Sequence, residues 1–283
     1  MLAVNLSPPE PLREILIVVG LVVLGLALRS AYAVWLRKLG AFTFLGASCC
    51  VLYFITHSVM GGLMGVAFWL FLPWFELLTR VRRMRLPLEN QLSQQAIPNA
   101  WFFPNAPEAA TAMEEAGFEH VTDCGWKWDG MQQYFRLFWH PEERAVAAVC
   151  LCEQRDVAFA FITITSHDSE GVIWRTTNFP FSTTLRCPPD VRWNHMPCQC
   201  HCFHQLLLDH RKYLSRARVP AQHLRMPDPE KIQGSIEREM RRQIDHNLAS
   251  GIILPTGDGH FRYSLRGLFF LWGQFLKDMI RLC

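Results

Sequence analysis

Hydrophobic positions are spread unevenly along this chain, and most of their excess lies before residue 80. Residues 15–28 read ILIVVGLVVLGLAL without a charge, and beyond Arg29 the segment SAYAVWL carries the run to Leu36. That is about the twenty apolar residues needed to cross the hydrocarbon core of a bilayer. The charges before the run are mixed (Glu10, Arg13, Glu14) and no small-x-small site closes it, so a retained span is expected rather than a cleaved signal peptide. A longer apolar stretch occupies 41–78. It reads as one long tilted helix, or as two short ones broken near Thr56 to Gly62. Basic residues flank it, Arg37 and Lys38 before and Arg80, Arg82, Arg83 and Arg85 after. Placing both groups in the cytoplasm predicts three spans, at roughly 13–36, 41–57 and 60–78, with the N-terminus outside. One span plus a hairpin that returns to the same side satisfies the charges equally. Two spans leave one basic group on the wrong face and rank behind. His57 falls at the proposed break, where it meets water at an interface or turn. Gly61, Gly62 and Gly65 suit either close helix approach or a turn.

Beyond residue 86 the pattern changes. A polar, proline-bearing stretch (87–104) reads as a linker, and NAPEAATAMEEAGF (105–118) as a helix started near Pro107 and stopped by Gly117, with Ala110, Met113 and Ala116 on one face. Five strand-like segments follow, at 118–128, 132–140, 144–154, 157–167 and 171–179. Asp129-Gly130, Pro141-Glu142-Glu143, Arg155-Asp156 and Ser169-Glu170-Gly171 separate them, each suited to a tight reversal. Short connections of this kind predict a five-stranded antiparallel meander with a helix over one face. Two further helices are expected. In FHQLLLDHRKYLSRA (203–217), Phe203, Leu206, Leu207, His210 and Leu214 share a side. In 227–251, capped by Asp228 and opened by Pro229, Ile232, Ile236, Met240, Ile244 and Leu248 form a narrow stripe, with Glu237 and Arg241 as a supporting pair. The last segment, 264–283, has a wide apolar face (Leu265, Leu268, Phe269, Trp272, Phe275, Leu276, Met279, Ile280) with Arg266, Lys277 and Arg281 away from it. It is expected to lie in a membrane interface, or to dock on the domain core or the membrane spans. The predicted fold is therefore a membrane-anchored α+β protein: a helical anchor (1–86), the linker, an α+β domain (105–263) and an amphipathic C-terminal helix.

Composition sharpens this picture in two ways. The net charge of the 283 residues is only +3, which gives no general basic field for nucleic acid. The basic clusters instead adjoin the spans and would meet anionic headgroups, so Arg37, Lys38, Arg80, Arg82, Arg83, Arg85, Arg266, Lys277 and Arg281 are the expected membrane-interface residues. Ten cysteines invite a disulfide reading. Cys49 and Cys50 lie in a span, and Cys150 and Cys152 would share one side of a strand. Reduced thiols in a cytosol-like compartment fit better.

The densest candidate chemistry is HMPCQCHCFH (195–204). A metal there would be zinc, on Cys198, Cys200, Cys202, His195 and His204. The alternating thiols lie about 6–7 Å apart along an extended chain, too far for one tetrahedral ion unless the loop bends. A loop of unpaired thiols is the favoured reading, with no cofactor. There is no Walker loop, no dinucleotide glycine motif, no HExxH and no GxSxG. Non-catalytic binding or assembly at the cytoplasmic face of a membrane is expected, with the bilayer and other membrane-protein subunits as partners. A membrane-bound enzyme or metal binder using the Cys/His cluster, and a lipid-handling domain built on the aromatic strands, are the alternatives.

Overall fold

A computed structural model describes residues 10–31, 33–96, 103, 106–154, 157–196 and 202–282. Three long helices come first: α1 (Glu10–Arg29), α2 (Val34–Thr56) and α3 (Val59–Thr79). All three are long and apolar enough to cross a membrane. The break between α2 and α3 falls at His57, which takes a left-handed conformation (φ 48°), and Ser58 then caps α3 by accepting from the Met60 N–H at 3.3 Å. Gly62 and Gly65 serve helix approach rather than the turn. A Cβ on Gly65 would collide with the Ser48 carbonyl oxygen. The Trp69 indole donates to the Ser48 hydroxyl at 2.5 Å, tying the same pair of helices.

The chain divides into two compact units: Met1–Met84 with Leu265–Cys283, and Arg85–Ser264. In the second unit the stretch read as a linker supplies two short strands, β1 (Leu86–Pro87) and β2 (Ser93–Gln94). Then come α4 (Ala106–Glu115), β3 (Glu119–Trp128), β4 (Met131–His140), β5 (Ala145–Gln154), β6 (Val157–His167), β7 (Ile173–Thr177), β8 (Val191–His195), α5 (Phe203–Arg216), α6 (Ile232–Ala249), β9 (Ile253–Pro255) and β10 (His260–Tyr263). The first unit closes with α7 (Leu265–Leu282), which packs on α3: Trp272 donates its indole N–H to the Leu70 carbonyl at 2.8 Å, and Trp74 meets Phe269 edge-on.

The predicted meander is present, as β3 to β7 paired antiparallel in sequence order. The sheet nevertheless has seven strands rather than five, in the order β2-β3-β4-β5-β6-β7-β8. Its two extra strands escaped the periodicity for a reason of size and connection. β2 is two residues long, and β8 pairs parallel to β7 after an irregular crossover, so no hairpin signal announces it. Asp129 and Gly130 both have positive φ (41° and 75°), the geometry of a two-residue hairpin turn. A separate three-stranded sheet, β1-β10-β9, completes the unit.

Side-chain alternation divides the large sheet into two faces. One packs Phe138, Ala147, Val149, Leu151, Ile162 and Ile164 with the inner residues of α4 and α5, among them Met113, Phe203 and Leu206. The other presents Cys124, Phe135, Leu137, Ala148, Cys150 and Phe161, with Ile232 and Ile236 of α6 packed on it. The first two residues of the α6 stripe thus lie on this sheet.

Candidate functional site

The second face is not filled. Between the sheet and α6 lies a cleft of about 610 Å³, within the range of roughly 300–1,000 Å³ typical of small-molecule sites. Its depth follows from residue size, since β5 offers only Val146, Ala148 and Cys150 as the floor. α6 cannot settle onto that floor because it is fixed elsewhere. Glu237 accepts the Leu92 N–H at 2.7 Å, and Gln233 donates to the Leu92 carbonyl at 2.8 Å. Near the other end, the buried Asn247 exchanges hydrogen bonds with the Arg186 N–H and carbonyl, at 2.9 and 2.8 Å. Glu237 and Arg241 are therefore not a pair: Arg241 binds Glu89 at 2.7 Å and Asp245 at 3.2 Å.

The two ends of the cleft differ in chemistry. Phe135, Phe161, Ile232 and Ile236 make one part apolar, whereas Thr165, His167, Arg175, Trp193 and Glu239 make another polar. The polar group forms one connected network. Glu239 on α6 takes Arg175 Nη2 at 2.5 Å on one oxygen and His167 Nε2 at 2.9 Å on the other. Arg175 Nε donates to Thr165 Oγ1 at 3.1 Å, and its guanidinium lies over the Trp193 ring, 5.3 Å from the centroid. Burial raises the Glu239 carboxyl, but Arg175 and His167 outweigh it and hold it down at about 2. The carboxylate stays charged because its partners stay in place. The same burial pushes the thiols on this face up, Cys152 to about 12 and Cys124 to about 11, so they are inert small hydrophobes here.

Across the sheet sits a different polar group. His210 of α5 is 2% exposed, at 3.1 Å from Ser166 Oγ and 2.9 Å from Thr176 Oγ1. Burial lowers its pKa to about 4, so it is a neutral imidazole pinned between two hydroxyls. Asp209 beside it reaches Lys212 and Gln205 on its own helix. The segment TTNF (176–179) caps a strand, with Thr177 Oγ1 donating to the Ile162 carbonyl at 3.0 Å and Asn178 Oδ1 accepting the Ile162 N–H at 2.6 Å.

No family model, curated protein or solved structure matches this chain.

Of the proposed zinc ligands, Cys198 and Cys200 lie outside the described residues. His195 ends β8, Cys202 precedes α5, and His204 stands exposed in the first turn of α5. Among the described residues no group of three or more His, Cys, Asp and Glu is placed to hold a metal ion. Lys38, Arg80, Arg82, Arg83, Arg85, Arg266 and Lys277 are exposed, and Arg80 and Arg85 pair with Glu76 and Asp258. Arg37 and Arg281 lie in α2 and α7, with side chains outside the described set.

The polar cleft residues Thr165, His167, Arg175, Trp193 and Glu239 form no motif along the chain, although a signal was present. ITITSH (162–167) alternates Ile and Thr before His167, and a strand covered by helices on both faces has no reason to be polar on one of them unless water or a ligand is there.

Proposed function

We propose that this chain is a membrane-anchored binding protein whose α+β domain acts as a ligand sensor and not as a catalyst. The observation that carries the binding part is the cleft under α6, which joins an apolar floor to one preorganised ionic group. A ligand filling it touches the sheet and α6 together, so occupancy strengthens the hold on that helix. Such a difference in contacts between filled and empty states is what a sensor requires. Three span-capable helices support the anchor. The basic clusters at 37–38 and 80–85 support a cytoplasmic domain and an interface with anionic headgroups, and other membrane-protein subunits are the partners to which a sensor of this kind would report.

Native mass spectrometry of the full chain in mild detergent tests the binding part. A bound mass of constant value is expected, lost when the cleft is blocked by Ala148→Trp. An adduct indifferent to that substitution would place the ligand elsewhere. The topology is tested by an introduced thiol at an exposed position, Ser215→Cys. An impermeant maleimide should reach it only after the cells are opened.

A further inference from the structure

We infer that the cleft takes an amphipathic anion, with its acid group at Arg175 and its apolar body along Phe135, Phe161 and Ile236, an assignment that rests on the cleft being a ligand site. Arg175 is built to receive an acid. Two of its three nitrogens are committed, Nε to Thr165 and Nη2 to Glu239, and Trp193 holds the plane of the guanidinium. Nη1 makes no hydrogen bond to the described residues and Arg175 lines the cleft, so one donor group is unspent. A guanidinium held in this way offers a fixed, charged N–H donor to a carboxylate or phosphate oxygen.

The charge around the cleft points the same way. Arg175, Arg225, Lys231, Arg238 and Arg242 line it, against Asp228 and Glu239. Lys231 is answered by Asp228 at 2.6 Å and Arg242 by Asp190 at 2.7 Å. Arg225 donates to the Ser169 carbonyl at 2.7 Å, and Arg238 has no acidic partner among the described residues. The remaining field is positive, which favours an anion and opposes a cation. The apolar part, with Ala148 and Cys150 as its floor, rewards a hydrocarbon or aryl body that a small inorganic anion lacks.

The test uses the full chain in lipid nanodiscs, titrated calorimetrically with octanoate, octanol and octyltrimethylammonium, each corrected against empty nanodiscs. Octanoate is expected to bind once per chain, at least tenfold more tightly than the other two. Arg175→Lys should weaken octanoate at least fivefold and leave octanol unchanged. Because a single neutral substitution strands Glu239, the double variant Arg175→Gln/Glu239→Gln provides the second arm, and it should bind octanoate and octanol alike. Equal affinities in the native chain, tighter binding of the cation, or indifference to Arg175→Lys would overturn the anion assignment. If octanol or the cation is lost with Ala148→Trp, the site itself still stands. If none of the three binds, the inference falls, and the mass-spectrometric adduct decides separately whether the cleft holds another ligand.

Discussion

The two faces of the seven-stranded sheet are made by the same strands and do opposite work. On β5, Ala147, Val149 and Leu151 turn to α4 and α5, while Val146, Ala148 and Cys150 turn to the cleft. On β6, Ile162, Ile164 and Ser166 face α5, while Phe161, Thr163, Thr165 and His167 face the cleft. Each face holds a titratable group among polar partners, the buried His210 on one and the half-buried Glu239 on the other, and each is satisfied differently. The packed face keeps His210 neutral between two hydroxyls. The cleft face keeps Glu239 charged between Arg175 and His167. A neutral, satisfied group needs no solvent and suits a packed interior, whereas a charged cluster suits a site that must meet another charge.

The largest expected difference between the faces is in truncation. Phe138, fully buried on the packed face, should lose about 3–5 kcal/mol of stability on Phe138→Ala, measured by chemical denaturation in detergent. On the cleft face, Glu239→Ala should cost less, about 1–3 kcal/mol, and for a different reason, since it leaves the half-buried Arg175 without its carboxylate. Replacing the pair together, as Arg175→Met/Glu239→Leu, should recover most of that loss. If the double variant is no more stable than Glu239→Ala, the cluster is not the source of the cost.

Acid should separate the two groups by pH window. The folded pKa of His210 lies near 4, below its unfolded value of about 6.5. Its contribution is complete above pH 6.5 and is lost as the pH falls towards 4, a change on the order of 3 kcal/mol. Glu239 has its folded pKa near 2, below about 4.5 unfolded, so its contribution is complete above 4.5 and lost as the pH falls towards 2. Denaturation midpoints across pH 7 to 3 should therefore fall first in a His210 window that His210→Gln removes. A midpoint flat from pH 6.5 to 5 in the native chain would contradict this account.

Neighbouring alanines give a finer contrast. Ala147→Leu overpacks the filled face and should cost about 1–3 kcal/mol, while Ala148→Leu points into the cleft and should cost less than about 1 kcal/mol. Smallest of all, the exposed ion pairs on the two covering helices, Arg211 with Glu143 and Arg241 with Glu89, should each be worth about 0.5 kcal/mol or less. Their Arg→Ala variants provide the baseline against which the faces are compared.

Much of this architecture was legible along the chain because it rests on local rules. The apolar runs before residue 80 announced the helices, and Asp129-Gly130 announced a hairpin that uses positive φ at both positions. Alternation gave the five meander strands almost to the residue, and the stripe Phe203, Leu206, Leu207, His210 and Leu214 is the buried side of α5. The edge strand Ser93–Gln94 and the parallel strand Val191–His195 were not legible, since two residues carry no period and a crossover carries no turn motif. The expected chemistry at 195–204 stands out by its density of thiols and imidazoles, while the polar residues of the cleft are scattered along the chain.

By itself the sequence determined where the chain is apolar enough to cross a membrane, where the five meander strands run, and which side of α5 is buried. Those outcomes depend on neighbours a few positions apart, through helical and strand periods and turn chemistry. Tertiary structure alone decided the cleft. Glu239 meets Arg175 across 64 residues and His167 across 72, and only the crossing of α6 over β6 and β7 makes the three into one site. A charge pair of that separation leaves no local period behind, because its energy depends on a distance in space that the fold must first create.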